Sequence, residues 1–231
     1  MKNFSRIWNA CLVFGLLVTA RAAEPKACVA LASPEGIVRL EFGGDEFGTF
    51  VPGVFEDGWT MSNLESGQGD KPGKDGVRHG TVTTQSGVEV ATELRISPVK
   101  DGQKFSYKLT PKAKAKLNSL FVRLNTDASS LIGGRYVADG AEGTFPKELK
   151  DVSLKEGDVK SLKVIDPKGN TLVFDFAAAS PLVVQDDRQW SEHFIVHIGP
   201  RMNDAEEWAA GKSITIEFTL TSPKGITAKD E

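Results

Sequence analysis

The chain has 231 residues, 28 of them basic and 31 acidic, for a formal charge of −3 with its three histidines neutral. That balance excludes nucleic-acid binding as a leading function, because such binding relies on clustered Lys and Arg neutralising phosphates. It weighs less against anionic membranes or acidic polysaccharides, since a local basic patch can oppose the net sign.

Lys2 and Arg6 precede an apolar run from Ile7 to Val18, and Ala20-Arg21-Ala22 fits an A-x-A cleavage site. This order predicts a secretory signal peptide over residues 1–22 and a periplasmic or extracellular mature domain over 23–231. A bilayer span needs about 20 apolar residues, so no transmembrane span is expected after cleavage, with an uncleaved anchor as the alternative. Loss of Lys2, Arg6 and Arg21 would leave 25 basic residues against 31 acidic, a formal −6. Cys11 would go with the signal peptide, leaving Cys28 without an intramolecular partner. Cys28 reads as a small buried hydrophobe in a first strand, Ala27 to Leu31, with pairing between chains as the alternative. The fold must then rest on its core rather than on disulfides.

The next stretch, Phe42 to Gly80, is rich in glycine and the least regular part of the chain. Phe47, Phe50, Val51, Val54, Phe55 and Trp59 within it predict short strand or tucked loop, and Gly67 to Gly76 reads as mobile. Loops this long are unusual in a compact domain unless they serve a function. Beyond it, apolar residues alternate with polar ones: Val88 to Ile96, Phe105 to Leu109, Leu120 to Leu124, Leu172 to Phe176, Phe194 to Ile198 and Ile214 to Leu220. Period two predicts half-buried strands. Turn residues punctuate them at Ser86-Gly87, Asp101-Gly102, Asp139-Gly140 and Pro167 to Asn170. Asp101-Gly102 in particular suits a primed hairpin turn with positive φ. Pro111 to Asn118 is too short for a lasting helix and reads as a connection. Asn203 to Ala210 predicts one or two helical turns ending at Gly211, with Trp208 packed on the edge of the domain. About a dozen short strands predict an all-β fold, a single antiparallel β-sandwich or jelly roll.

Few motifs carry chemistry. The acidic doublets Asp45-Glu46, Glu56-Asp57, Asp186-Asp187 and Glu206-Glu207 are poor glycosidase pairs, because adjacent strand residues point to opposite faces. Glu156-x-Asp158 is placed in a turn. His193 and His197 share one strand face at roughly 13 Å, too far for one zinc ion. No metal or other cofactor is therefore assigned, although calcium among the glycine-rich loops stays open. No Gly-x-Ser-x-Gly elbow or phosphate loop occurs.

The densest stretch runs from Pro181 to Pro200. An apolar strand ends in Gln185-Asp186-Asp187-Arg188-Gln189-Trp190, and a second strand follows. Indoles stack on sugar rings, while Asp, Gln and Arg hydrogen-bond hydroxyls. Trp190, Arg188, Asp187 and Gln189 are therefore the candidate ligand-binding residues, with Trp59 as a second stacking surface. A purely structural turn, with Arg188 paired to Asp186 or Glu192, is the competing explanation. Gly133-Gly134-Arg135-Tyr136 with Asp139-Gly140 and Phe145-Pro146, the Gln185–Trp190 run, and Gly211 to Phe218 resemble accessory β-sandwich domains of secreted bacterial glycoside hydrolases and related hypothetical proteins. That resemblance covers about the C-terminal half and implies a non-catalytic sandwich, without naming a ligand. The leading function is an exported binding module for a polysaccharide or glycan. A periplasmic or surface module that binds a protein partner is the second reading, and a jelly-roll hydrolase or lyase the third.

Overall fold

The computed structural model of the chain describes residues 26–67, 72 and 75–231. Residues 1–22, read as a signal peptide, and most of the 67–76 loop lie outside that set. The regular structure of the described chain is nearly all strand: β1 (Cys28–Ala32), β2 (Val38–Phe42), β3 (Asp45–Glu56), β4 (Met61–Asn63), β5 (Arg78–Thr83), β6 (Glu89–Val99), β7 (Gly102–Pro111) and β8 (Ala115–Asp127). One helical turn, α1 (Ala128–Leu131), follows. Then come β9 (Arg135–Ala138), β10 (Ala141–Thr144), β11 (Ser153–Ile165), β12 (Thr171–Asp186), β13 (His193–Ile198), β14 (Glu206–Trp208), β15 (Ile214–Thr221) and β16 (Ile226–Asp230). The alternation read from the sequence is what builds them. In β15 Ile216, Phe218 and Leu220 are buried while Thr215 and Glu217 are exposed, and β7 buries Phe105, Tyr107 and Leu109 in the same way.

The strands form one continuous sheet in the order β16-β1-β2-β3-β8-β13-β12-β15-β7-β6-β5. The pairs along it are antiparallel except β1 with β16, which run parallel. Two packed layers arise because this sheet curls over on itself. Phe50 of β3 meets Phe105 of β7 and Phe218 of β15 at ring separations of 5.7 and 5.3 Å. The long strand β12 carries the bend: Val173–Asp175 pair with β15, whereas Leu182–Asp186 pair with β13. The two ends of the path come together as well. Arg78 of β5 is salt-bridged to Asp230 of β16, and the Gln103 amide of β7 donates to the Ile226 carbonyl at 3.0 Å.

Local structure departs from the sequence reading in five places, the first being Pro111 to Asn118, where the connection is only residues 112–114 and residues 115–118 begin β8. The stretch after Phe42 opens with the twelve-residue strand β3. Its glycines serve close approach rather than turning: a Cβ on Gly48 would lie 2.6 Å from the Asn125 carbonyl, and one on Gly53 2.5 Å from the Phe121 ring. The Asn203–Ala210 segment is not helical but contains β14, which pairs with Ala115–Leu117 of β8. Two helical turns gain little on their own, whereas edge pairing satisfies the backbone and buries Trp208. The β6–β7 turn is Lys100-Asp101, with Asp101 at φ 60°. Gly102 lies inside β7, where a Cβ would sit 2.1 Å from the Leu220 carbonyl. Asp139-Gly140 forms the primed two-residue loop instead, with φ of 47° and 86°. Finally, Glu156 and Asp158 belong to β11 rather than to a turn.

In the central strands β8 and β13 both faces are covered. Leu120, Val122, Leu124, Phe194, Val196 and Ile198 belong to the main core. Phe121, Arg123, Ile195 and His197 therefore point to the opposite side. That outer face of the sheet, roofed by the β3–β4 turn and the β12–β13 turn, holds the candidate site.

Candidate functional site

A cleft of about 420 Å³ lies on this face. Its floor is Arg123, Gln185, Ile195 and His197, and its walls are Phe55, Trp59, Met61, Asp187, Trp190 and Arg201. Strand register explains the floor. His197 stands opposite both Arg123 and Val183, and Ile195 opposite both Gln185 and Asn125.

Trp59 closes the β3–β4 hairpin, whose three-residue loop is Asp57-Gly58-Trp59. Gly58 takes φ 78° without penalty, but Trp59 is held at φ 64°, a conformation that L-residues with bulky side chains rarely adopt. The loop is pinned by Asn118, whose carbonyl oxygen accepts from the Trp59 N–H at 3.4 Å. The same amide donates to the carbonyls of Met202 and Asn203. Asn118 thus ties the turn bearing Trp59 to the segment bearing Arg201. The Arg201 guanidinium in turn lies 5.1 Å from the Trp59 ring centre. Trp59 also meets Phe55 edge-on at 5.4 Å.

On the opposite wall, Asp187 organises the β12–β13 turn. Its carbonyl accepts from the Trp190 and Ser191 N–H groups, and its carboxylate accepts from Gln185 Nε2 at 2.8 Å and Ser191 Oγ at 2.7 Å. Trp190 projects from that turn with 68% of its surface exposed, against 36% for Trp59. Arg188 has a different place. It forks onto Asp186 at 2.8 and 2.6 Å and donates to the Pro146 and Lys147 carbonyls. It also lies over the Phe194 ring. Gln189 is exposed and outside the cleft lining. Of the residues singled out from sequence, the fold thus brings Trp59, Trp190 and Asp187 together and leaves Arg188 and Gln189 outside.

His197 sits between Phe55 and Phe121, at ring distances of 6.2 and 4.6 Å. Burial, with the Arg201 and Arg123 charges adding to it, pushes its pKa down to about 3, so the ring is neutral near pH 7. Ser119 Oγ donates its one proton to the Pro200 carbonyl at 2.6 Å and so accepts from His197 Nε2 at 3.3 Å. A nucleophilic serine needs the reverse polarity, with its hydroxyl donating to the imidazole. Arg123 is nine-tenths buried; burial lowers its pKa, and the Asp187 charge opposes that shift.

Most members of the acidic doublets are engaged in structural contacts. Glu56 caps the β5–β6 turn through the Gln85 and Ser86 N–H groups, Asp57 pairs with Lys116, Asp45 with Lys26, and Glu207 with Lys114. No cluster of three or more His, Cys, Asp or Glu residues able to hold a metal ion occurs among the described residues. Nor is any described helix long and apolar enough to cross a membrane. Sequence reasoning missed Arg123, Arg201 and the cleft role of His197. The one available signal was charge at the outward parity of an otherwise apolar strand, Arg123 between Val122 and Leu124.

No family model matches the chain, and no curated protein does. Among solved structures, the Slr1438 protein from Synechocystis sp. PCC 6803 aligns over 81% of this chain and 88% of its own, at 9% identity and a TM-score of 0.40.

Proposed function

We propose that this chain is an exported, non-catalytic β-domain that binds a carbohydrate in the cleft between Trp59 and Trp190. The observation that carries the reading is the pairing of two partly exposed indoles across one cleft. One of them, Trp59, is held in a backbone conformation it would not choose. Strain of this kind gathers at ligand sites, where surrounding structure over-determines it. Indole faces stack on the apolar faces of sugar rings, and Gln185 and Asp187 stand beside them as hydrogen-bonding partners for hydroxyls. Binding is favoured over turnover because glycoside hydrolysis needs two opposed carboxylates, and Asp187 is the one carboxylate among the cleft residues. The kinship with accessory β-sandwich domains, and export itself, belong to the same proposal.

The test is titration of the purified protein with a panel of polysaccharides and oligosaccharides, recording reducing-end release in the same wells. The expected result is binding without release, lost on Trp190→Ala while the fold is kept. Release of reducing ends would make the protein an enzyme. Binding that survives both Trp190→Ala and Trp59→Ala would move the site elsewhere.

A further inference from the structure

The cleft contains two guanidinium groups that form no ion pair with any described residue. Elsewhere the described arginines have acceptors: Arg39 on Glu41 and Glu231, Arg78 on Asp230, Arg135 on Glu142, Arg188 on Asp186, and Arg95 on the Asp75 carbonyl. Arg123 and Arg201 form no salt bridge with any described residue. Arg123 exposes 9% of its surface, and its Nε is buried with no hydrogen-bond acceptor. Asp187 acts on Arg123 through its field, with no salt bridge or hydrogen bond between them; its two oxygens accept from Gln185 and Ser191. Neutral His197, whose low pKa owes part of its shift to these same two arginines, adds no further positive charge.

A buried cation with no direct ion pair is costly, and a buried donor without an acceptor calls for an explanation. We infer that the ligand supplies the missing anion: an acidic sugar whose carboxylate or sulfate docks on Arg123 and Arg201 while its ring lies against Trp59 and Trp190. A guanidinium presents a planar fork of N–H donors that matches either oxyanion. The inference rests on the ring-binding reading above and adds the charge of the ligand. It also places a cationic cleft on a chain whose formal net charge is −3.

The test uses tryptophan fluorescence and calorimetry on the purified protein with five probes. They are an oligogalacturonate, a sulfated galacto-oligosaccharide, a neutral cello-oligosaccharide of equal length, sodium benzoate and inorganic sulfate. The first two separate carboxylate from sulfate as the preferred anion. The expected result is that one acidic oligosaccharide binds at least about tenfold tighter than the neutral one. Arg123→Gln and Arg201→Gln should each weaken it by about tenfold, the worth of one charge-assisted contact. Thermal melting checks the fold of both variants, and Arg201, being exposed, gives a variant with little folding risk. Arg123→Gln also takes a cation from the field of buried Asp187 and from the Phe121 ring, so a modest drop in its melting temperature is expected beside the affinity loss. If the neutral oligosaccharide binds as tightly, or both variants leave acidic-sugar affinity intact, the inference is overturned and the carbohydrate reading survives. If no oligosaccharide binds but benzoate or sulfate does so in an Arg123-dependent way, the anion site stands and the carbohydrate reading falls. Silence from all five probes overturns both.

Discussion

The Arg188 guanidinium closes on the Asp186 carboxylate two residues before it, and that carboxylate is fully buried. The pair, with the Pro146 and Lys147 carbonyls, staples the end of β12 to the segment before β11. Removing one member leaves the other charge buried and alone, the situation that costs about 3–5 kcal/mol. Arg188→Ala is therefore expected to lower unfolding stability by about 3 kcal/mol in urea titrations. The double variant Asp186→Ala/Arg188→Ala should recover part of that loss. Equal destabilisation in the single and double variants would count against the staple.

Trp59 offers a test of strain. Trp59→Ala removes the indole contacts with Phe55 and Arg201 but keeps a side chain at φ 64°. Trp59→Gly removes the same contacts and relaxes the backbone as well. The left-handed conformation costs an L-residue roughly 1–2 kcal/mol. Trp59→Gly should therefore be about 1 kcal/mol more stable than Trp59→Ala, with ligand binding lost in both. Equal stabilities would show that the turn relaxes whatever residue occupies it.

His197 links stability to pH. In the folded protein its imidazole takes up a proton only near pH 3, whereas the ordinary value is 6.5. Between those values the unfolded chain binds a proton that the folded chain refuses, so acid favours unfolding. The contribution is complete above pH 6.5 and drains away as pH falls toward 3, at up to about 1.4 kcal/mol per pH unit. Urea midpoints measured from pH 7 to pH 5 should fall more steeply for the parent than for His197→Gln. Parallel curves would refute the linkage.

Cys28 is fully enclosed in β1, and burial pushes its thiol up to about 12. A thiol that is both protonated and inaccessible does not react. Its modification by a soluble disulfide reagent at pH 8 should thus follow the rate of unfolding and rise steeply in denaturant. Fast labelling of the native protein would show that β1 opens locally.

Much of the fold was legible because alternation is a local property. β7, β13 and β15 could be read directly from residues such as Phe105, Phe194 and Phe218. The glycines were harder. Gly102 and Gly140 each follow an aspartate, yet one avoids the Leu220 carbonyl inside a strand and the other turns a hairpin. That difference is set by a neighbour more than a hundred residues away along the chain. The cleft shows the same limit. Asp187 and Trp190 lie in one informative run, but Arg123 enters through its register with His197, and Arg201 through the bonds from Asn118 to Met202 and Asn203. The structural alternative for Arg188, its pairing with Asp186, was legible in the sequence and is what the fold shows, whereas its bonds to the Pro146 and Lys147 carbonyls were not.

The parallel pairing of β1 with β16 has a kinetic consequence. β1 gains its second neighbour only when Ile226–Asp230 arrive, almost two hundred residues after it was made. Contacts of such sequence separation slow folding, since loop closure must precede any gain from them. As the chain folds, the outer edge of β1 waits unpaired until Ile226–Asp230 reach it, and closing the sheet is a late event. A chain lacking residues 226–231 should then collapse around its central strands yet keep an open seam, and aggregate through it.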